Sequence, residues 1–136
     1  MLVFNMDKIV KVVAALLKKS DKFLICQRPK DKARGLLWEF VGGKVEKDES
    51  KEQALIRECK EELDISVTPV REFCKVVHEY PDLTIELTLF EATTEDEPKL
   101  LEHNDCRWIT ANETDDYEFC PADVDIIKKI KEELNV

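Results

Sequence analysis

The chain has 136 residues, enough for one domain with an apolar core and too few for two. It is 43% hydrophobic and 38% charged, and no apolar run approaches the ~20 residues of a membrane-spanning helix. The net charge of -9 argues against nucleic-acid polymers and membranes as partners, because both bind clustered positive charge. The first six residues lack a secretory pattern, so we expect one cytoplasmic domain over residues 1–136.

The five cysteines predict neither a disulfide framework nor a zinc site. Their number is odd, and no two of them lie closer than fourteen positions along the chain. We therefore expect most of them to be small residues of the core, where free cysteine is common. They are Cys26, Cys59, Cys74, Cys106 and Cys120.

Strand patterns dominate the first third of the chain. Residues 9–17 and 23–27 are rich in Val, Ile, Leu and Phe and flank a polar turn, which predicts a hairpin. Residues 1–5 precede this hairpin, and we expect their removal to cost little stability. A charged loop over residues 29–35 follows, and residues 36–41 are predicted as a short strand that runs into two glycines.

A helix is predicted over residues 50–64. Ser50 and Gln53 have capping-box spacing, and neither Gly nor Pro interrupts the segment before Asp64. Apolar side chains recur at helical spacing and predict its buried stripe. They are Leu55, Ile56, Cys59 and Leu63.

Two further strands, a short strand and a closing helix are predicted after this helix. Residues 66–78 and 83–91 form the strand pair around a turn at Tyr80, Pro81 and Asp82. The short strand covers residues 106–109, and the helix covers residues 121–134. The apolar stripe of this helix is Ile126, Ile127, Ile130 and Leu134. Strands with helices on both sides predict an α/β layered domain.

All three glycines of the chain, Gly35, Gly42 and Gly43, fall in one window of nine residues. Glycine is used where a backbone needs unusual dihedral angles or where another group approaches it closely. The window is therefore a candidate site, and the alternative is an ordinary turn.

Three carboxylates share one face of the predicted helix. Glu58, Glu61 and Glu62 stand at positions i, i+3 and i+4, where like charges repel by a few tenths of a kcal/mol per pair. A divalent cation would offset this repulsion, and oxygen ligands without Cys or His favour Mg²⁺ or Mn²⁺ over zinc. The alternative is a solvated acidic face. We refer to these three residues as the glutamate face.

The order of these groups resembles the signature of the Nudix hydrolases. Gly43 is followed after five residues by Glu49, and after seven more by Arg57 and the glutamate face. The pattern departs from the family at Cys59, where an aliphatic residue is usual, and at Asp64, where glycine usually ends the helix. Other stretches extend the resemblance over nearly the whole chain: Gln27-Arg28-Pro29, Leu37 to Lys44, Tyr80-Pro81-Asp82 and Pro121-Ala122-Asp123.

The resemblance is greatest to the MutT-type branch, which includes enzymes that act on cytidine or oxidised-guanine nucleotides. It implies a Nudix α/β/α sandwich with a mixed β-sheet between helices. It also implies Mg²⁺-dependent hydrolysis of (deoxy)nucleoside triphosphates to the monophosphate and pyrophosphate, by a monomer or homodimer. The alternatives are a non-catalytic domain that senses nucleotides, and a hydrolase of another nucleoside diphosphate derivative.

By the same resemblance, residues on both sides of the glycines have roles. Arg28 would contact the substrate phosphates, while Glu49 and Arg57 would orient the helix. The groups that would hold the metal are the carbonyl of Gly42 and the carboxylates of Glu58, Glu61 and Glu62. Glu102, six residues before Trp108, matches a family glutamate that acts as metal ligand or general base, or else is an exposed loop carboxylate. We expect the adjacent His103 at the surface.

Asp123 matches the position that contacts the base in MutT-type enzymes. An ionised carboxylate only accepts hydrogen bonds, which suits the amino group of cytosine or the N–H groups of guanine and disfavours thymine and uracil. The alternative is a residue favoured by the dipole at a helix N-terminus. Tyr80, Ile85 and Leu87 are candidates for the walls around the base, or for the core.

Overall fold

A computed structural model describes residues 9–133 of the chain. The expectations for residues 1–5 and for Leu134 lie outside these residues. Within them, no helix is both long and apolar enough to cross a membrane. The strands and helices are β1 (Ile9–Lys19), β2 (Lys22–Gln27), β3 (Trp38–Glu39), β4 (Gly42–Lys44), α1 (Lys51–Leu63), β5 (Thr68–Glu79), β6 (Thr84–Thr93), β7 (Asp105–Ile109), a 3-10 helix (Ala111–Asp116) and α2 (Pro121–Glu133).

The seven strands form a mixed sheet in the order β3-β2-β1-β6-β5, with β4 paired to β1 and β7 paired to β2. Only β1 and β6 run parallel among the described strands, and they pair from Ile9↔Thr84 to Leu17↔Ala92. The predicted hairpin of β1 and β2 and the predicted pair of β5 and β6 are both antiparallel. The expected mixed sheet is confirmed.

Alternation along β1 explains why helices cover both faces of the sheet. Val13, Ala15 and Leu17 belong to the apolar cluster that includes the buried side of α1. Ala14 and Leu16 point the other way and join the cluster that includes α2. Each large side chain buried in this manner contributes about 1.5–3 kcal/mol of transfer free energy. The result is an α/β/α sandwich, as the sequence predicts.

Helix α1 begins and ends as its sequence indicates. The Ser50 side chain accepts from the backbone N–H of Gln53, the Gln53 side chain accepts from the N–H of Ser50, and the capping box is complete. Asp64 ends the helix in the left-handed region with φ 52°. The prediction for Ile56 is wrong, because this side chain is 43% exposed and Ala54 is buried on the helix instead.

The segment before the glycines differs from the prediction of one strand over residues 36–41. Leu36 has φ 67°, which interrupts an extended strand, and only Trp38–Glu39 pairs with β2. The N–H of Phe40 donates to the side chain of Asp123 instead of to a neighbouring strand. The glycines themselves form β4 and pair with β1, although a Gly-Gly-Lys segment has no strand pattern.

The cysteines confirm the prediction of core residues for three of five positions. Cys26, Cys59 and Cys120 are buried, the other two are half-buried, and all five are free thiols. Burial raises the pKa of the thiols of Cys59 and Cys120 to about 12. Both therefore stay protonated at neutral pH, which makes them poor nucleophiles and poor metal ligands.

Candidate active site

A cavity of about 500 Å³ opens beside the β1–β4 pair, a size that suits a small organic ligand. Its wall brings together residues that are far apart in the sequence. Ten of the predicted site residues line it: Arg28, Gly42, Glu58, Glu61, Glu62, Tyr80, Ile85, Leu87, Glu102 and Asp123. The two remaining predicted site residues, Glu49 and Arg57, lie behind the glutamate face.

Close approach explains the two glycines of β4. A Cβ atom on Gly42 would overlap the carbonyl oxygen of Val13 and lie 2.7 Å from the Cα of Ala14. A Cβ atom on Gly43 would overlap the carboxylate of Glu58. Neither glycine has a positive φ, so the strand needs space here and not left-handed backbone. The missing side chains allow β4 to lie directly between β1 and the glutamate face.

Arg57 holds the glutamate face in place from behind. Its Nε and Nη2 donate to the two carboxylate oxygens of Glu49 at 2.8 and 3.0 Å. Its Nη1 lies 2.6 Å from Glu58 and 3.3 Å from Glu61, and Nη2 also donates to the carbonyl of Lys44 at 3.0 Å. The hydrogen bond from Arg57 lowers the pKa of Glu49 to about 2. One guanidinium thus connects the helix, β4 and the loop between them.

Glu62 is the most enclosed member of the glutamate face, with 13% of its side chain exposed. Burial raises the pKa of Glu62 well above its usual value, and the hydrogen bond and charge of Glu58 raise it further. Full ionisation of these carboxylates therefore needs compensating positive charge. Because all the donors are hard oxygens, with Gly42 on the same wall, this set fits Mg²⁺ or Mn²⁺.

Two residues that the sequence analysis did not place in the site lie at its centre. Glu39 Oε1 accepts from Arg28 Nη1 at 3.0 Å, and Glu39 Oε2 lies 3.1 Å from Nε2 of His103. The same Nε2 lies 3.3 Å from Glu62 Oε1. The prediction that His103 is a surface residue is wrong, because 3% of its side chain is exposed. The N–H of Asn104 donates to the carbonyl of Gln27 at 2.9 Å, which holds this loop against β2.

Arg28 has two anchors that direct its guanidinium along the cavity wall. Nε donates to the carbonyl of Ala33 at 2.8 Å, and Nη1 donates to Glu39. Burial lowers the pKa of Arg28, but the charge and hydrogen bond of Glu39, with smaller contributions from neighbouring groups, together outweigh burial and raise the pKa of Arg28. A permanently charged guanidinium is therefore fixed at the cavity, 23% exposed.

Asp123 and Tyr80 connect α2 to the opposite wall. Asp123 Oδ1 accepts from the N–H of Phe40 at 3.2 Å, and burial raises the pKa of this carboxyl well above its usual value. Burial therefore favours the protonated acid, whereas the sequence analysis treated Asp123 as ionised. The hydroxyl of Tyr80 accepts from the N–H of Ala122 at 3.3 Å, and the Arg34 guanidinium lies 4.4 Å from the centre of the Tyr80 ring.

Comparison with known proteins identifies the family of this chain. The model of the NUDIX domain matches residues 12–129. The chain belongs to the Nudix family. The protein of Escherichia coli (strain K12) named CTP pyrophosphohydrolase is 36% identical over 126 residues, which cover 89% of this chain and 90% of that protein.

Two further proteins are similar to this Nudix chain. The protein of Proteus vulgaris named 8-oxo-dGTP diphosphatase is 42% identical over 90 residues, covering 65% of this chain and 80% of that protein. The solution structure of DNA Mismatch Repair Protein MutT (Family Nudix Hydrolase) from methicillin-resistant Staphylococcus aureus 252 has a TM-score of 0.73 and 36% identity, covering 93% of this chain and 98% of that one. This Nudix chain is therefore a hydrolase of the MutT type, an enzyme that acts on acid anhydrides, and the expected fold is confirmed.

Proposed function

We propose that this Nudix hydrolase cleaves (deoxy)nucleoside triphosphates to the monophosphate and pyrophosphate with Mg²⁺, and that Mn²⁺ can substitute. The observation that carries the proposal is the single cavity, because it joins the glutamate face to a fixed guanidinium and to apolar walls. A triphosphate needs neutralised charge at one end of its site and a place for a base at the other. With a net charge of -9, the chain needs a metal or a local basic group to bind such an anionic substrate.

The donor set of the metal in this proposal is the glutamate face with the carbonyl of Gly42, and Glu102 from the opposite loop. Bound Mg²⁺ neutralises phosphate oxygens and lowers the pKa of a coordinated water. Glu102 is exposed on the cavity wall, where a carboxylate can accept the proton of an attacking water. Arg28 binds a phosphate, and Arg57 with Glu49 keeps the helix oriented.

The proposed base is cytosine or oxidised guanine. Support comes from the names of the two relatives, and Asp123 lies on the cavity wall where it would contact the base. Tyr80 and Ile85 are half-buried on the wall and would pack against the base, while Leu87 is 5% exposed and belongs to both wall and core. The five free thiols suit a reducing compartment, and we place the enzyme in the cytoplasm as a monomer or homodimer.

Pyrophosphate release from a panel of nucleoside triphosphates, with and without Mg²⁺, tests the proposal. We expect release from CTP, dCTP or 8-oxo-dGTP that requires Mg²⁺. Glu61→Gln should lower turnover at least a hundredfold with an unchanged melting temperature, because it neutralises a carboxylate of a repulsive set. Glu52→Gln is the matched control, since Glu52 is an exposed glutamate of α1 that is absent from the cavity wall. Release of inorganic phosphate only, or full activity of Glu61→Gln, would contradict the proposal.

A further inference from the structure

Glu39 lies between Arg28 and His103, and His103 in turn lies beside Glu62, the most enclosed member of the glutamate face. One oxygen of Glu39 binds Arg28 at 3.0 Å, and the other lies 3.1 Å from His103, which in turn lies 3.3 Å from Glu62. Water reaches these side chains little: the exposed fraction is 19% for Glu39 and 3% for His103. The four groups therefore form a row in a partly shielded environment: hydrogen bonds join Arg28, Glu39 and His103, and Glu62 lies within ion-pair distance of His103.

Electrostatics alone does not favour a carboxylate at this position. Glu39 adds negative charge to a wall that already has the glutamate face, and its charge contributes to the raised pKa of Glu62. A triphosphate would be repelled by it directly. Glu39 therefore contributes by orienting its neighbours, and each of its two oxygens orients a different one.

At Arg28, the contact to Glu39 fixes the part of the guanidinium that faces away from a substrate. Nε is bound to Ala33 and Nη1 to Glu39, whereas Nη2 has no protein partner among residues 9–133. A guanidinium held at two nitrogens presents its third in a fixed direction, which is the arrangement that phosphate oxygens select.

At His103, the row continues toward Glu62. Nε2 faces two carboxylate oxygens, so it is the nitrogen that bears a hydrogen in this arrangement, while the buried Nδ1 has no partner in the described part of the chain. The hydrogen bond that orients the ring is therefore the one between Nε2 and Glu39. Loss of this acceptor would weaken the hold on the ring and loosen a neighbour of Glu62.

We infer that Glu39 is a positioning residue that orients Arg28 for phosphate through one oxygen and, through His103, orients Glu62 for the divalent cation through the other. The inference rests on the proposed function, because that proposal gives Arg28 and Glu62 their roles. It assigns a role to a carboxylate that is outside the proposed donor set of the metal.

Glu39→Gln tests the inference, since glutamine keeps the size of the side chain but has a single acceptor oxygen for two donors. We expect KM for the nucleotide and the half-saturating Mg²⁺ concentration to rise about tenfold or more each. Glu91→Gln is the matched control. Glu91 is 21% exposed and also holds two cations, Lys18 at 3.2 Å and Arg71 at 2.8 Å, away from the cavity. It should change neither value.

Two double-variant cycles separate the effect of Glu39 on Arg28, which we call the Arg28 arm, from its effect on Glu62 through His103, which we call the His103 arm. In an Arg28→Ala background, Glu39→Gln should still raise the half-saturating Mg²⁺ concentration but no longer raise KM. In a His103→Ala background, Glu39→Gln should still raise KM but no longer raise the half-saturating Mg²⁺ concentration. Unchanged KM and Mg²⁺ response in Glu39→Gln, or equal effects in both backgrounds, would overturn the inference and leave Glu39 a structural residue.

Calorimetric titration of the free protein with Mn²⁺ keeps the test independent of the substrate. We expect weaker Mn²⁺ binding in both Glu39→Gln and His103→Ala, with no further loss in the double variant. If the wild type releases no pyrophosphate from any triphosphate, the proposed function fails, while this titration still decides the His103 arm. If the losses of Mn²⁺ affinity in Glu39→Gln and His103→Ala add up in the double variant, the inference that Glu39 acts on Glu62 through His103 is wrong.

Discussion

Gly42→Ala and Gly43→Ala change neighbouring positions of β4 and should have different consequences: the first should lower stability, and the second should mainly lower turnover. The new methyl at Gly42 would meet only backbone, lying 2.7 Å from the Cα of Ala14 and 2.8 Å from the carbonyl carbon of Val13. Backbone cannot rotate away, so β4 must move from β1. Two or three hydrogen bonds are at risk there, including the 2.9 Å bond from the N–H of Ala15 to the carbonyl of Val41.

The magnitudes follow from these contacts. At about 1 kcal/mol per backbone hydrogen bond, with strain added, Gly42→Ala should lose about 2–4 kcal/mol of unfolding free energy. At about 3 °C per kcal/mol, its melting temperature should fall by about 6–12 °C. The methyl at Gly43 would meet only the end of the flexible Glu58 side chain. That carboxylate can turn aside, so we expect less than about 1 kcal/mol of destabilisation and at least a tenfold loss of turnover.

Thermal unfolding and Mg²⁺-dependent pyrophosphate release, measured on both variants, check this contrast. Each variant serves as the control for the other, because both add the same methyl group to the same short strand. An equal fall of melting temperature in the two variants would refute the argument from close approach. Full turnover in Gly43→Ala would show that activity does not depend on the position of the Glu58 carboxylate.

The remaining predictions concern two acidic residues. Asp123→Asn keeps an acceptor for the N–H of Phe40 and removes a carboxyl whose pKa burial raises. The folded acid retains its proton above the unfolded pKa of about 4, so wild-type stability falls as pH rises from there, by up to about 1.4 kcal/mol per unit. In urea unfolding, the unfolding free energy of the Asn variant should therefore rise relative to that of the wild type between pH 5 and pH 8. A difference in unfolding free energy that stays constant over this range would contradict the prediction. Asp64→Gly should be about 1 kcal/mol more stable than Asp64→Ala, because the φ of 52° at this helix end is left-handed and favours glycine. Equal unfolding midpoints of the two variants would exclude backbone conformation as the cause.

Local patterns made part of the site predictable. The capping box of Ser50 and the i, i+3, i+4 spacing of the glutamate face depend only on helix geometry, and the structure reproduces both. His103 could not be placed in this way. A single histidine in a polar loop has no periodic pattern, and its side-chain partner, Glu39, lies far away in the sequence.

Alternation of side chains along the extended segment is a weak sequence signal for the direction of Glu39. This residue lies between Trp38 and Phe40, both buried, so alternation places it on the other side of the chain, toward the cavity. Its partner His103 is 64 positions away, and no local pattern reports a contact at that separation. The burial of Asp123 was hidden for the same reason, because the N–H of Phe40 approaches it from 83 positions away.

The forked pairing of β1 limits how this enzyme can adapt to a ligand. β1 pairs with β4 from Val12 to Ala14 and with β2 only at Lys18 and Lys19, so the sheet divides along one continuous strand. Both branches share that strand, so movement of one branch relative to the other requires β1 to bend. Residues 29–37 instead form a connection between β2 and β3 outside this pairing, and they carry Lys32 and Arg34 onto the cavity wall. Substrate range can then change through substitutions in one loop while the framework of the fold stays the same.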